Sequence, residues 1–253
     1  MSAIPATSMH LPPLARLTRL ATRAAILPCL AAGVMAADPV QSKFEDQAFL
    51  LTVGAGSPPT LDVEEDVGGQ HWDWHGEGHT PLSLTIEGAW TSIGKRGGPF
   101  IGVDLTLARN DITPRSYGYA GQEFTNTSQR RLTCTMLGGD AFAGWQYGMT
   151  GDYSRDVQVV GTLVAFAGGG YALAATDSRE GGAYSRGKGS GGYYDYGARA
   201  GLSIIEGRVV AGVTAAYVWT KAKVTVDVPG GRTSKLTLEG DGFQFGGQFG
   251  YSF

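Results

Sequence analysis

Beyond its first 36 residues the chain has no uninterrupted apolar run of the roughly 18 to 20 residues that a membrane-spanning helix requires. Runs of helix-favouring residues are scarce as well, whereas 40 of the 253 residues are glycine. A helical bundle is therefore set aside and one all-β unit is expected. Cysteine is nearly absent: Cys29 lies in the first stretch, which leaves Cys134 alone in 37–253. No intrachain disulfide can form there, and stability must come from the sheet itself. Basic charge is also short. Residues 1–36 hold three of the 20 Lys and Arg and none of the 23 Asp and Glu, leaving 17 against 23 and a formal charge of −6. Such a balance argues against nucleic acid as a partner.

What is present begins with a leader pattern. Arg16, Arg19 and Arg23 precede the apolar stretch 24–34, and small residues follow at Ala36 and Ala37. Basic, then briefly apolar, then small is the order of a secretory signal. We expect 1–36 to be that signal, with Met9 as an alternative start, and 37–253 to be the folded unit. Cys29 follows Pro28, where a lipid-anchor signal calls for a small residue, so no lipid anchor is expected.

The rest of the chain alternates with period two. Leu82, Leu84, Ile86 and Trp90 share one parity against Ser83, Thr85 and Glu87. Ile101, Val103, Leu105 and Leu107 stand against Gly102, Asp104 and Thr106, and Tyr194, Tyr196, Leu202 and Ile204 against Asp195, Arg199 and Ser203. Each such strand has one greasy face and one wet or empty face. A soluble sandwich would put many Lys and Glu on its polar face. Here that face is Gly, Ser, Thr, Ala and Gln with isolated charges, which suits the crowded interior of a small barrel whose apolar face meets lipid.

Further strands are expected at 46–56, 131–148, 156–175, 208–220 and the final segment, making eight. The facing of 156–175 stays open, because Val160, Val164 and Phe166 would point inward. Connections at 57–79, 110–128, 177–190 and 227–235 read as long loops, and those near 94–98, 150–154 and 206–207 as tight turns. The fold expected is a closed, antiparallel, eight-stranded transmembrane β-barrel, an up-and-down meander with both termini on the periplasmic side.

The last ten residues alternate aromatic with Gly, Gln or Ser. Gln244, Gly246, Phe249, Tyr251 and Phe253 resemble the C-terminal signal read by the outer-membrane assembly machinery. With that motif and eight strands, the chain resembles the small bacterial outer-membrane barrels of the OmpA-domain, OmpX and OmpW kind, a porin-family architecture. The resemblance implies an outer-membrane location, assembly by that machinery, contact with membrane lipid and lipopolysaccharide, and a monomer; it implies no chemistry.

Two groups of residues are candidates for more than architecture. Glu87, Asp104, Asp140 and Arg199 all point inward by parity, and unpaired charges there would be costly, so Arg199 is expected to span the lumen and pair with at least one carboxylate, plugging the barrel. His71, Asp73, His75, Glu77 and His79 share one parity in the first loop, which continues that of Ser83 and Glu87, so they are expected inward with Trp72 and Trp74 outward. Imidazoles beside carboxylates suit a divalent metal, but on a straight strand His71 and His79 would lie roughly 27 Å apart at about 3.4 Å per residue. A turn at Gly76 or Gly78 would be needed to gather them, and a polar loop among lipopolysaccharide head groups is the alternative.

The acidic run Asp62, Glu64, Glu65 and Asp66 reads as a solvated loop tip or a Ca²⁺ site, and the Tyr- and Gly-rich 181–194 stretch as a flexible or adhesive loop. Lipid A deacylases carry a His-x-Ser pattern near a strand end that this chain does not have. Omptin-type proteases carry an Asp-x-His, which Asp73-Trp-His75 echoes, together with a second acidic pair and ten strands. A non-enzymatic structural or surface-interaction role is therefore expected first, a narrow conduit for small apolar molecules second, and a hydrolase using the His-rich loop third. No resident cofactor is expected beyond a divalent metal on that loop, and the surface ligand is unknown.

Overall fold

Each alternating stretch forms a strand. In this computed structural model the described residues are 46–56, 60–78, 82–91, 97–127, 129–149, 157–180, 183–228 and 232–252. Residues 1–45, which include the signal expected at 1–36, lie outside them, as do His79, Phe253 and the side chain of Glu77. Eleven strands are present among them: β1 (Asp46–Gly56), β2 (Thr60–Val67), β3 (Gln70–Gly78), β4 (Leu82–Thr91), β5 (Gly97–Tyr119), β6 (Gln122–Thr125), β7 (Arg131–Gly148), β8 (Val157–Glu180), β9 (Ala183–Glu206), β10 (Val209–Val228) and β11 (Arg232–Ser252).

All pairings are antiparallel. β1 pairs with β4, β4 with β5, β5 with β7 and β7 with β8, and β8 to β11 pair in order. First and last strands then meet, Ala48 opposite Ser252 through Gly56 opposite Gln244. The ring closes on eight strands, so no edge of it is left to recruit another chain.

The four expected long connections are mostly wall rather than loop. β8 and β9 each run 24 residues and leave only 181–182 between them, although about 9 to 11 residues suffice to cross a membrane. Residues 57–79 form the β2–β3 hairpin, closed at Gly68 and Gly69, whose φ of 58° and 82° place two successive residues in the left-handed region that a two-residue hairpin turn needs. β2 pairs with β11 from Thr60–Asp241 to Val67–Ser234, and β3 pairs with β5. The hairpin thus replaces β1 and β4 in the ring above them. These segments read as loops because their sidedness is reversed. Above the membrane water lies outside, so the polar face turns out and the apolar face turns in.

Two changes of register accomplish that reversal on the hairpin. From Gly56 to Thr60 the chain advances four residues while β11 advances three, and from Gly78 to Leu82 it again advances four against three on β5. An extra residue flips every following side chain to the other face. Phe49, Leu51 and Val53 therefore point outward on β1, but Asp62, Glu64 and Asp66 do so on β2. Below, the lumen holds the layers Leu50, Val160, Ile205, Val210 and Ala89, Phe100, Phe142, Val164, with Phe166 packed against the second. This assigns β8: Val160, Val164 and Phe166 face inward. Above, Val63, Trp74, Leu132, Met136, Val224 and Leu238 belong to one larger apolar core.

Candidate functional site

A single rung gathers the luminal charges. Glu87 stands opposite Asp104, Asp104 opposite Asp140, Asp140 opposite Gly168 and Gly168 opposite Asp195, across β4, β5, β7, β8 and β9. Four residues further along β9, Arg199 reaches back to Glu87 (Nη2 to Oε2, 2.6 Å) and lies 3.6 Å from Asp104 Oδ2, with its guanidinium 5.2 Å from the Phe142 ring. The structure thus brings Glu87, Asp104, Asp140 and Arg199 together and adds Asp195. Asp195 shares the inward parity of Arg199, a signal already present in the strand pattern. Gly168 is needed here for room: a Cβ at that position would sit 2.0 Å from Asp140 Oδ1. Arg199 lines both a cavity of about 110 Å³ above and a void of about 30 Å³ below, so its ion pair stands between two small spaces.

A second buried charge lies at the top of the lumen. Glu65 is 2% exposed and accepts hydrogen bonds from both terminal nitrogens of Arg130 (2.6 Å each), from Trp74 Nε1 (3.0 Å) and from Ser234 Oγ. The Arg130 guanidinium also stacks 4.8 Å over the Trp74 ring. Asn126 holds Arg130 in place, accepting from its backbone N–H and donating to its carbonyl and to that of Pro114. Only Asp62, Glu64 and Asp66 of the acidic run are exposed; Glu65 is the inner charge of a latch, standing between Leu236 and Trp72 in register and reaching Ser234 and Trp74 diagonally with its side chain. Nothing in the local sequence of 60–67 pairs it with Arg130, 65 positions away. We expect Arg130→Met to leave Glu65 buried without its cation, at a cost of about 3–5 kcal/mol, seen as faster proteolysis within 110–130 while the lower barrel keeps its gel mobility.

The histidine ladder faces the other way from the expectation. His71, Asp73 and His75 are exposed on the outer wall, Trp74 is buried, and Trp72 is half-buried, stacked on Tyr119 at 4.6 Å. The added residue between β3 and β4 breaks the parity that would have carried the ladder inward. Burying indole rings here avoids the cost of burying imidazoles and carboxylates. His71 Nδ1 meets Asp66 Oδ1 at 2.8 Å and Nε2 lies 3.5 Å from Asp73 Oδ1. The hydrogen bond to Asp66 raises the imidazole above its ordinary pKa, and the Asp66, Asp73 and Glu64 charges reinforce the shift. Glu64, which parity within a single strand could not supply, joins His71 and Asp73 from across the hairpin.

Below the charged wall the outer surface is apolar all the way round. Phe49 on β1, Leu84 on β4, Val103 on β5, Leu137 on β7, Ile204 on β9 and Val213 on β10 are each 40% or more exposed. On β11 Phe243, Phe245 and Phe249 continue the belt, and Tyr196, Trp219, Tyr217 and Phe243 form a chain of ring contacts. Exposing so much apolar side chain to water is untenable, whereas a closed barrel satisfies every backbone group in lipid. The chain is an outer-membrane β-barrel.

Of the assembly motif, Phe249 and Tyr251 face lipid, at 62% and 39% exposure, and Gln244 and Gly246 face the lumen. No protein-family model and no curated protein matches the sequence. Among solved structures the barrel is similar to the outer membrane protein OprG from Pseudomonas aeruginosa, at 12% identity over 85% of this chain and 99% of that one, with a TM-score of 0.45. It is similar to the outer membrane protease OmpT from Escherichia coli at 11% identity over 84% and 99%, also with a TM-score of 0.45. It is similar to Ail, the attachment invasion locus protein of Yersinia pestis, at 14% identity over 79% and 99%, with a TM-score of 0.30. Likenesses this distant carry no activity over to the chain.

Proposed function

We propose that this barrel is a non-enzymatic outer-membrane protein with a structural and surface-interaction role of the adhesin kind, acting through the charged wall that stands above the lipid. The observation that carries the reading is the filled lumen. Two apolar layers, the Arg199 ion pair and the upper core with its Glu65–Arg130 latch occupy it in succession, and an eight-stranded barrel has little more than side-chain room to begin with. A conduit would need these layers to part. What is left to meet the surroundings is the outer wall, where β8 and β9 run to more than twice the length of a membrane crossing.

Two measurements test this reading. Purified barrel in planar bilayers should give no stable single-channel current, and large steady currents from the wild type would overturn the filled-lumen picture. Cells displaying the barrel should adhere to host matrix or epithelial surfaces above a vector control. Replacing the exposed Asp62, Glu64, Asp66 and Asp73 together by Asn or Gln should abolish the adhesion without lowering the amount of assembled barrel, and adhesion that survives these changes would move the role away from the hairpin wall.

A further inference from the structure

Two carboxylates stand directly opposite one another on the outward face of the β2–β3 hairpin, Glu64 against Asp73, with Asp66 against His71 in the next outward pair. Like charges facing across paired strands repel. The adjoining strands offer no basic residue at these positions, since the other neighbour of Glu64 is Thr237 and that of Asp73 is Gly118. The ring nitrogen beside Asp73 is His71 Nε2, and one ligand atom each from Glu64, His71 and Asp73 lie within 4.8 Å of one another. We propose that this face binds one divalent transition-metal ion of the Zn²⁺ or Ni²⁺ class, with His71 Nε2, an Asp73 oxygen and a Glu64 oxygen as ligands. The site stands independently of the surface-interaction reading.

Three features of the geometry select this chemistry. First, the short contact from His71 Nδ1 to Asp66 Oδ1, 2.8 Å, holds a proton on Nδ1, so that in the neutral imidazole, the form that ligates metals, the Nε2 lone pair is the one turned toward Asp73. A carboxylate behind a histidine is the usual support of a metal-ligating imidazole, fixing its tautomer and raising its basicity. Second, tetrahedral bonds of about 2.0 to 2.1 Å put neighbouring ligands roughly 3.3 to 3.4 Å apart. The 3.5 Å between His71 Nε2 and Asp73 Oδ1 is already close to that edge. Glu64 is exposed and long enough to close the third position by a rotamer change, and water can take the fourth. Third, an imidazole in the set favours Zn²⁺, Ni²⁺ or Cu²⁺ over Ca²⁺ or Mg²⁺, which prefer all-oxygen shells.

His75 is not in the set. Its Nε2 lies 3.0 Å from where a Cβ on Gly118 of β5 would stand, and the ligand atoms that lie within 4.8 Å of one another are those of Glu64, His71 and Asp73. This separates the proposed site from one built along a single strand, in which His75 would be central.

Isothermal titration of the detergent-purified barrel with Zn²⁺, after dialysis against chelator, provides the test. About one ion per barrel should bind. His71→Ala should abolish binding or weaken it at least a hundredfold, and Glu64→Ala and Asp73→Ala should each weaken it tenfold or more. Asp66→Ala should weaken it roughly ten- to a hundredfold through the orientation of His71, whereas His75→Ala should stay within twofold of wild type. All five side chains are exposed, so heat-modifiable gel migration should be unchanged and will confirm that each variant is folded. With Cu²⁺ as the probe, electron paramagnetic resonance should show coupling to one imidazole nitrogen that disappears in His71→Ala. No wild-type binding at millimolar Zn²⁺, equal binding by His71→Ala, or loss of binding in folded His75→Ala would each overturn the proposal.

Discussion

Changing Phe249 and Tyr251 together to serine is expected to leave the protein exported but unassembled, with the folded outer-membrane form falling to a small fraction of wild type. Both side chains face lipid on β11, and the burial of the phenyl ring alone contributes roughly 2 to 3 kcal/mol. β11 also closes the ring: it pairs with β10 along its whole length and with β1 at the seam. A weakened last strand therefore loses closure itself and exposes two strand edges. The same residues form part of the terminal motif that resembles the assembly signal, so recognition and stability should fail together. Membrane fractionation with heat-modifiable gel migration measures the outcome directly. Wild-type levels of the folded form in this double variant would contradict the seam as the point of closure.

Arg199→Met should be the most destabilising single change in the lower barrel. The substitution keeps most of the side-chain volume but leaves Glu87 and Asp104 buried without the cation they share, a loss on the order of 3–5 kcal/mol. Asp140→Asn should act in the opposite direction. It removes one of four carboxylates strung along a rung that holds a single guanidinium, while preserving shape at the Gly168 cradle. Urea unfolding in detergent, followed by tryptophan fluorescence, should show the midpoint falling for Arg199→Met and rising for Asp140→Asn. An unchanged midpoint in Arg199→Met would mean that the ion pair contributes nothing to the fold. A lower midpoint in Asp140→Asn would mean that this carboxylate is compensated by a group outside the rung.

The lower barrel was readable because lipid imposes one rule on every strand that crosses it. Leu82, Leu84 and Ile86, or Ile101, Val103 and Leu105, must point outward together, so parity alone assigned their facing and that of Glu87, Asp104, Asp140 and Arg199. β8 resisted because its lower inward positions are apolar, Val160, Val164 and Phe166, and two apolar faces leave nothing for alternation to distinguish. The strand's partners decide it: Phe166 and Val164 pack against the Phe142 and Phe100 layer.

The site proposed on the hairpin is half visible in the sequence. His71 and Asp73 were marked as candidates by their type and spacing, but the same reasoning pointed them into the lumen and chose His75, Glu77 and His79 as companions. The error lies in one residue. A register change between Gly78 and Leu82 reverses the faces, and a change of that kind has no signature in composition.

The sequence by itself determined the architecture that local alternation and the lipid boundary can specify: an all-β chain, eight crossing strands, the inward facing of Glu87, Asp104, Asp140 and Arg199, and an aromatic last strand. Only the tertiary structure decided what depends on register between strands distant in the chain. The extra residues that turn the hairpin inside out, the burial of Glu65 beneath Arg130, the arrival of Asp195 on the carboxylate rung and the meeting of Glu64 with His71 and Asp73 all follow from which residues stand opposite each other. Pairing of that kind is set by closure of the ring as a whole, since each strand's position depends on its two neighbours, and no single segment contains the information.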